Sequence, residues 1–128
     1  ALVRAAQNIE NEVEVENEDQ KLGVKIIAKA CTAPLKQIAY NAGYEGGMVL
    51  AKVIELGRDN PNMGFNAATG EYVDMLQAGI IDPTKVERTA LENAVSASGV
   101  LLTAEAIVAN IPEKKEGKGG SDMDMPEF

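Results

Sequence analysis

Residues 84–105 carry two interleaved apolar rows, Val86, Ala90, Ala94, Ala97 and Leu101 in one and Leu91, Val95 and Leu102 in the other. That spacing predicts one long helix from Thr84 to about Glu105 with a broad apolar face. A face so wide belongs inside a thick core or an assembly. The composition points the same way. Hydrophobic residues make up 45% of the 128, yet aromatics are only 4% and Trp is absent. Ala, Val, Leu and Ile must therefore fill the interior, which favours closely packed helices over a large sandwich. The expected fold class is mainly α.

Glycine and proline punctuate the rest of the chain. Leu2, Ala5, Ala6 and Ile9 share one face of a first helix over residues 1–9. No Ser, Thr, Asp or Asn precedes that helix as a cap, which predicts a piece of a longer protein. Glu10, Glu12, Glu14, Glu16, Glu18 and Asp19 then crowd like charges into a solvated loop or frayed helix end, although Val13 and Val15 alternate as a strand would. A second helix is expected from Asp19 to Ala33, with Leu22, Ile26, Ile27 and Ala30 as its stripe. Pro34 restarts the chain, Leu35, Ile38 and Ala39 face inward, and Gly43 stops the helix. Gly46-Gly47 opens a short helix, Met48 to Leu56, closed by Gly57.

After a polar loop through Gly64, residues Phe65 to Tyr72 read as a small hairpin around Ala68-Thr69-Gly70. Val73 to Ala78 reads as a helical turn ending at Gly79. Beyond the long helix, Ala106 to Ile111 reads as an edge strand stopped by Pro112. Glu113 to Phe128, rich in charge, Gly and Met, is expected to be a disordered tail.

Several function classes are disfavoured. A formal charge of −8 argues against a nucleic-acid surface. No apolar run approaches the roughly 18 residues of a membrane span. The single cysteine, Cys31, has no internal disulfide partner and reads as a small buried residue; a reducing compartment follows naturally. With no His, neither a Cys/His metal site nor a Ser-His-Asp triad is contained in the chain. Gly46-Gly47 lacks the spacing and the Lys-Ser/Thr of a phosphate loop, and the acidic run lacks a calcium-loop pattern.

Two places remain where chemistry fits. Asp82-Pro83 opens the long helix, so Asp82 reads as its N-cap with Pro83 as the first helical residue. The same carboxylate suits the hydroxyls of a sugar, because an ionised acid is a strong acceptor. Asn66-Ala67-Ala68 reads as turn chemistry. Equally, small side chains let a flat ring approach the main chain, the Asn66 amide suits a base edge, and Ile80 supplies an apolar surface below the ring.

Four segments occur in one order: Asn17-Glu18-Asp19-Gln20, Ala33-Pro34-Leu35-Lys36-Gln37-Ile38, Gly64-Phe65-Asn66-Ala67-Ala68-Thr69-Gly70-Glu71-Tyr72 and Gly79-Ile80-Ile81-Asp82-Pro83-Thr84-Lys85-Val86. Together they resemble the C-terminal quarter of the group I chaperonins, the GroEL-type ring-forming ATPases that fold other proteins. The resemblance covers nearly all of residues 1–112. It implies the C-terminal portion of a helical equatorial domain over 1–112, with a small β-hairpin and a C-terminal edge strand, and a flexible tail over 113–128.

By resemblance, Asn66, Ala67 and Ala68 match adenine-side contacts, Ile80 packs near the base, and Asp82 matches the ribose-binding aspartate. Glu18, Lys36 and Glu45 fall where the family makes ring-to-ring contacts. Lys36 stands where Arg also occurs, which would loosen a bidentate pairing. The edge strand resembles the one that pairs with a neighbouring subunit. The whole protein would then use ATP with magnesium and potassium, form a ring of identical subunits, and engage a co-chaperonin and unfolded clients through parts outside this chain. It would work in a bacterial cytoplasm, with an organelle matrix as the alternative. The phosphate, metal and catalytic groups lie outside these residues, so the segment alone is expected to be inactive. The competing reading is a self-standing helical interaction module without nucleotide binding.

Overall fold

The computed structural model describes residues 1–109. The elements run α1 (Leu2–Glu12), α2 (Glu18–Ala30), α3 (Ala33–Asn41), α4 (Gly46–Leu56), β1 (Met63–Asn66), β2 (Glu71–Asp74) and α5 (Thr84–Thr103). The acidic segment takes the loop form over residues 13–17 after α1 continues to Glu12. Asn17 then caps α2 by accepting the Gln20 N–H at 2.9 Å, while the Gln20 side chain accepts the Glu16 N–H at 2.8 Å. Such reciprocal bonds satisfy donors that a helix start leaves open.

Pro34 lies in the first turn of α3, where its missing N–H costs nothing. The helix closes in a Schellman pattern: Tyr44 N–H donates to Ala39 O and Gly43 N–H to Tyr40 O, both at 2.9 Å. Gly43 takes φ +85° there, a left-handed conformation that side chains resist. This closure delivers Tyr44 to the hairpin.

β1 and β2 pair antiparallel with Phe65 opposite Tyr72 and Met63 opposite Asp74. Val73 and Asp74 therefore belong to a strand, and the turn begins only at Met75. Asn66 O accepts the Gly70 N–H at 2.8 Å across the hairpin tip, and Gly70 takes φ +77° with the Tyr44 hydroxyl against it.

The core is small and central. Ala39 of α3, Val49 and Val53 of α4 and Phe65 of β1 are buried together, with Leu35, Ala67 and Tyr72 packed around them. Tyr44 meets Phe65 edge-on at 5.1 Å between ring centroids, and Tyr72 lies 5.4 Å from it on a tilt. Cys31 is buried, as a small apolar residue would be.

Arg4 ties α1 to this unit. Its guanidinium donates to Val53 O at 2.9 Å, Met63 O at 3.0 Å and Pro61 O at 3.2 Å. One planar cation thus gathers carbonyls from the end of α4, the loop after it and the first residue of β1.

Two expectations are corrected. Ile38 is 52% exposed, so the predicted inward row of α3 faces partly outward, and Ile26 in the α2 stripe is 60% exposed. Residues 104–109 form no strand, because an edge strand needs a sheet partner and neither β1 nor β2 pairs with them among the described residues. Residues 110–111 and the predicted tail, 113–128, lie outside the described residues. Of the two settings that the α5 face suggests, the described residues supply no thick core: α5 buries none of its residues, and Val95, Leu101 and Leu102 remain exposed along it. The long helix forms as its periodicity requires, but no described residue buries its apolar rows.

Candidate functional site

The hairpin tip sets the first group of candidates. Asn66 Oδ1 accepts the Ala68 N–H at 3.0 Å, an Asx turn that fixes the direction of the tip. The amide nitrogen of Asn66 is left available, so the turn role and a contact role coexist. Ala67 is half-buried against the core, whereas Ala68 is exposed.

The second group lies after the Met75–Gly79 turn. Ile80 and Asp82 line an open cleft of about 460 Å³ together with Val3, Cys31, Leu35, Gly64 and Phe65. Asn66, Ala67 and Ala68 do not line this cleft; they lie beyond Phe65 at the tip. Asp82 does not cap α5. Pro83 takes the N-cap place, with φ −62° and ψ 129°, and the helix begins at Thr84. The Asp82 carboxylate therefore sits one residue too early for the cap. It is exposed and makes no hydrogen bond to another described residue.

Asp74 lies between the two groups along the chain, at the end of β2 away from the hairpin tip, and is a residue that the sequence expectations omit. One carboxylate oxygen accepts the Leu76 and Gln77 N–H groups, both at 3.1 Å, and the other accepts from Asn60 Nδ2 at 3.0 Å. Asn60 and these main-chain donors hold the acid below its ordinary pKa of 3.8. An aspartate followed by two or three residues of tight turn is a legible cap signal.

The remaining candidates lie on α2, on α3 and at the start of α4. Glu45 caps α4 with both oxygens, accepting the Gly47 N–H at 2.9 Å and the Met48 N–H at 2.6 Å. Those two bonds, and then nearby Lys36, lower its pKa from 4.5. Lys36 belongs to α3 where its main chain packs against Gly46. Glu18, in the first turn of α2, is exposed and makes only a loose 3.8 Å pair with Lys21. The structure places Lys36 and Glu45 together and gives Glu18 no contact with either.

Because the Glu45 pKa is depressed on folding, its contribution is present above the unfolded value and is lost as pH falls through the folded one. The melting temperature is expected to drop below about pH 4.5, and Glu45→Gln is expected to flatten part of that drop. Parallel acid titrations of Tm for the two proteins test this; superimposable curves would count against it. Among the described residues, no three His, Cys, Asp or Glu side chains gather as a metal site, and no helix is long and apolar enough to cross a membrane.

Residues 1–112 match the family model of the TCP-1/cpn60 chaperonins. The coordinates resemble an open-state monomer of a group II chaperonin from Methanococcoides burtonii, with a TM-score of 0.71 and 22% identity. The alignment covers 80% of this chain and 26% of that one, so the chain spans about a quarter of the relative's length. At that identity the likeness speaks for the fold: mainly helical, with the two-stranded sheet of a chaperonin equatorial segment.

Proposed function

Since this chain belongs to the TCP-1/cpn60 chaperonin family, we propose that it supplies the adenosine side of the nucleotide site in an ATP-driven, group I protein-folding chaperonin. The observation that carries this reading is the Asp82 carboxylate, exposed beside Ile80 and free of the capping role its position first suggested. An unspent acceptor in the segment leading into α5 suits two adjacent ribose hydroxyls. Asn66, Ala67 and Ala68 present a small, rigid turn on the base side. The ordered sequence segments support the group I assignment, while the structural likeness is to a group II relative.

The residues here fit adenosine and do not fit its metal, since no acidic cluster forms among the described residues. Magnesium, potassium and the phosphates would be held by other parts of the whole protein. Bound ATP supplies the phosphoryl group whose cleavage drives the cycle; these residues bind and orient its nucleoside end. The whole protein would be the ATPase, and this segment alone inactive. Its partners would be identical subunits in a ring, a co-chaperonin and unfolded proteins, in a bacterial cytoplasm. Glu18, Lys36 and Glu45 would serve the contact between rings.

Asp82→Ala in the full-length protein is expected to weaken ATP binding about tenfold or more, the loss of a charge-assisted hydrogen bond. Because Asp82 caps nothing, stability should stay within about 0.5 kcal/mol of the parent. Titration calorimetry and thermal melting read the two effects separately. Wild-type affinity in the variant would remove the nucleotide role and leave the interaction-module reading standing.

A further inference from the structure

We infer that Asp74 is a positioning residue that holds the base-side turn and the ribose-side Asp82 in register, so that one nucleoside spans both. This inference rests on the nucleotide-binding reading above. The candidate residues sit on two pieces of chain with different anchors: the hairpin tip on β1 and the segment leaving β2 toward α5. Asp74 ends β2 and faces Met63, the first residue of β1, so it stands where the two pieces meet.

Its carboxylate works in both directions. Toward the hairpin, it receives the 3.0 Å bond from Asn60, whose own Oδ1 accepts the Asn62 N–H at 2.9 Å. Toward Asp82, it accepts the Leu76 and Gln77 N–H groups that start the turn. That turn is then closed by Ala78 N–H to Asp74 O and Ile80 N–H to Met75 O, both at 2.9 Å. Met75 N–H in turn donates to Asn62 O at 3.0 Å, closing the path back to the loop before β1. Every hydrogen-bonded route from the hairpin base to Ile80 thus starts at Asp74 or at the Asn60–Asn62 loop it grips. Without the carboxylate, two main-chain N–H groups and the Asn60 amide lose their shared acceptor, and the exit toward Asp82 is held by the main-chain bonds of Met75, Ala78 and Ile80 alone.

A positioning role differs from mere stabilisation in being coupled to the residue it positions. The test is a double-mutant cycle in the full-length protein, with ATP affinity as the readout and ring assembly checked for each variant. Asp74→Ala is expected to weaken ATP binding about fivefold with assembly unchanged. In the Asp82→Ala background the same change should have almost no further effect, because the group being positioned is gone. Asn60→Ala removes only the staple bond; it serves as the second variant, with a smaller loss that again vanishes beside Asp82→Ala. If Asp82→Ala weakens binding while Asp74→Ala and Asn60→Ala leave it unchanged, or if the effects multiply independently, the positioning role is overturned and the nucleotide reading stands. Unchanged binding in Asp82→Ala overturns both.

Discussion

Phe65→Ala is expected to unfold the unit formed by α3, α4 and the hairpin. Among the described residues Phe65 is the only buried aromatic, clustered with Ala39, Val49 and Val53 and in ring contact with Tyr44 and Tyr72. Truncating a core Phe costs about 3–5 kcal/mol through lost transfer energy and the cavity left behind. With so few buried residues the surroundings hold little in reserve, and a loss of that size rivals the net stability of a small domain. Phe65→Leu keeps most of the buried area and forgoes mainly the ring contacts, about 1 kcal/mol. Amide exchange along Val49–Val53 is the measurement. Protection retained within a factor of about ten in Phe65→Ala would show that the core does not depend on this ring.

Arg4→Ala is expected to cost about 2–3 kcal/mol, the worth of charge-assisted bonds in a partly buried setting. Three carbonyls from separate segments lose a common donor, and α1 loses its hold on the rest. Arg4→Lys should restore little, because an ammonium is a point charge and does not reproduce the planar fork that spans Pro61, Val53 and Met63. The urea midpoint of each variant decides. An Arg4→Ala midpoint within about 0.5 kcal/mol of the parent would reduce Arg4 to an ordinary surface cation.

Much of the chain's local structure was legible because it rests on backbone chemistry that few residues can supply. Pro34, Gly43, Gly57 and the Gly70 turn mark boundaries that fall within a residue or two of where the structure has them. The Asn17 and Asp74 caps had legible signals too, in the Asn-x-x-Gln spacing and the tight turn after the acid, and were simply passed over. Arg4 is a different case. Its acceptors are main-chain carbonyls, which leave no mark on residue identity, so no pattern near Pro61 or Met63 announces the contact. The outward stripes on α2 and α3 fail for another reason. Periodicity shows that Ile26 and Ile38 want cover, but no described residue supplies it. Asp82 was misjudged by one residue: Asp-Pro usually places Pro in the first turn, and here the extended ψ of Pro83 makes it the cap itself.

The bareness of α5 also separates the chain in time. A helix that buries none of its residues draws on bonds within itself, helped by the 2.8 Å Arg88–Glu92 pair, so it forms and dissolves on the roughly microsecond scale of helix–coil exchange. The Arg4 bonds join residues 49 to 59 positions apart and must wait for that length of chain to close. Folding of this segment therefore divides in two: α5 keeps remaking itself while no described residue buries it, and the Arg4 bonds form only once the chain between residues 4 and 63 has closed.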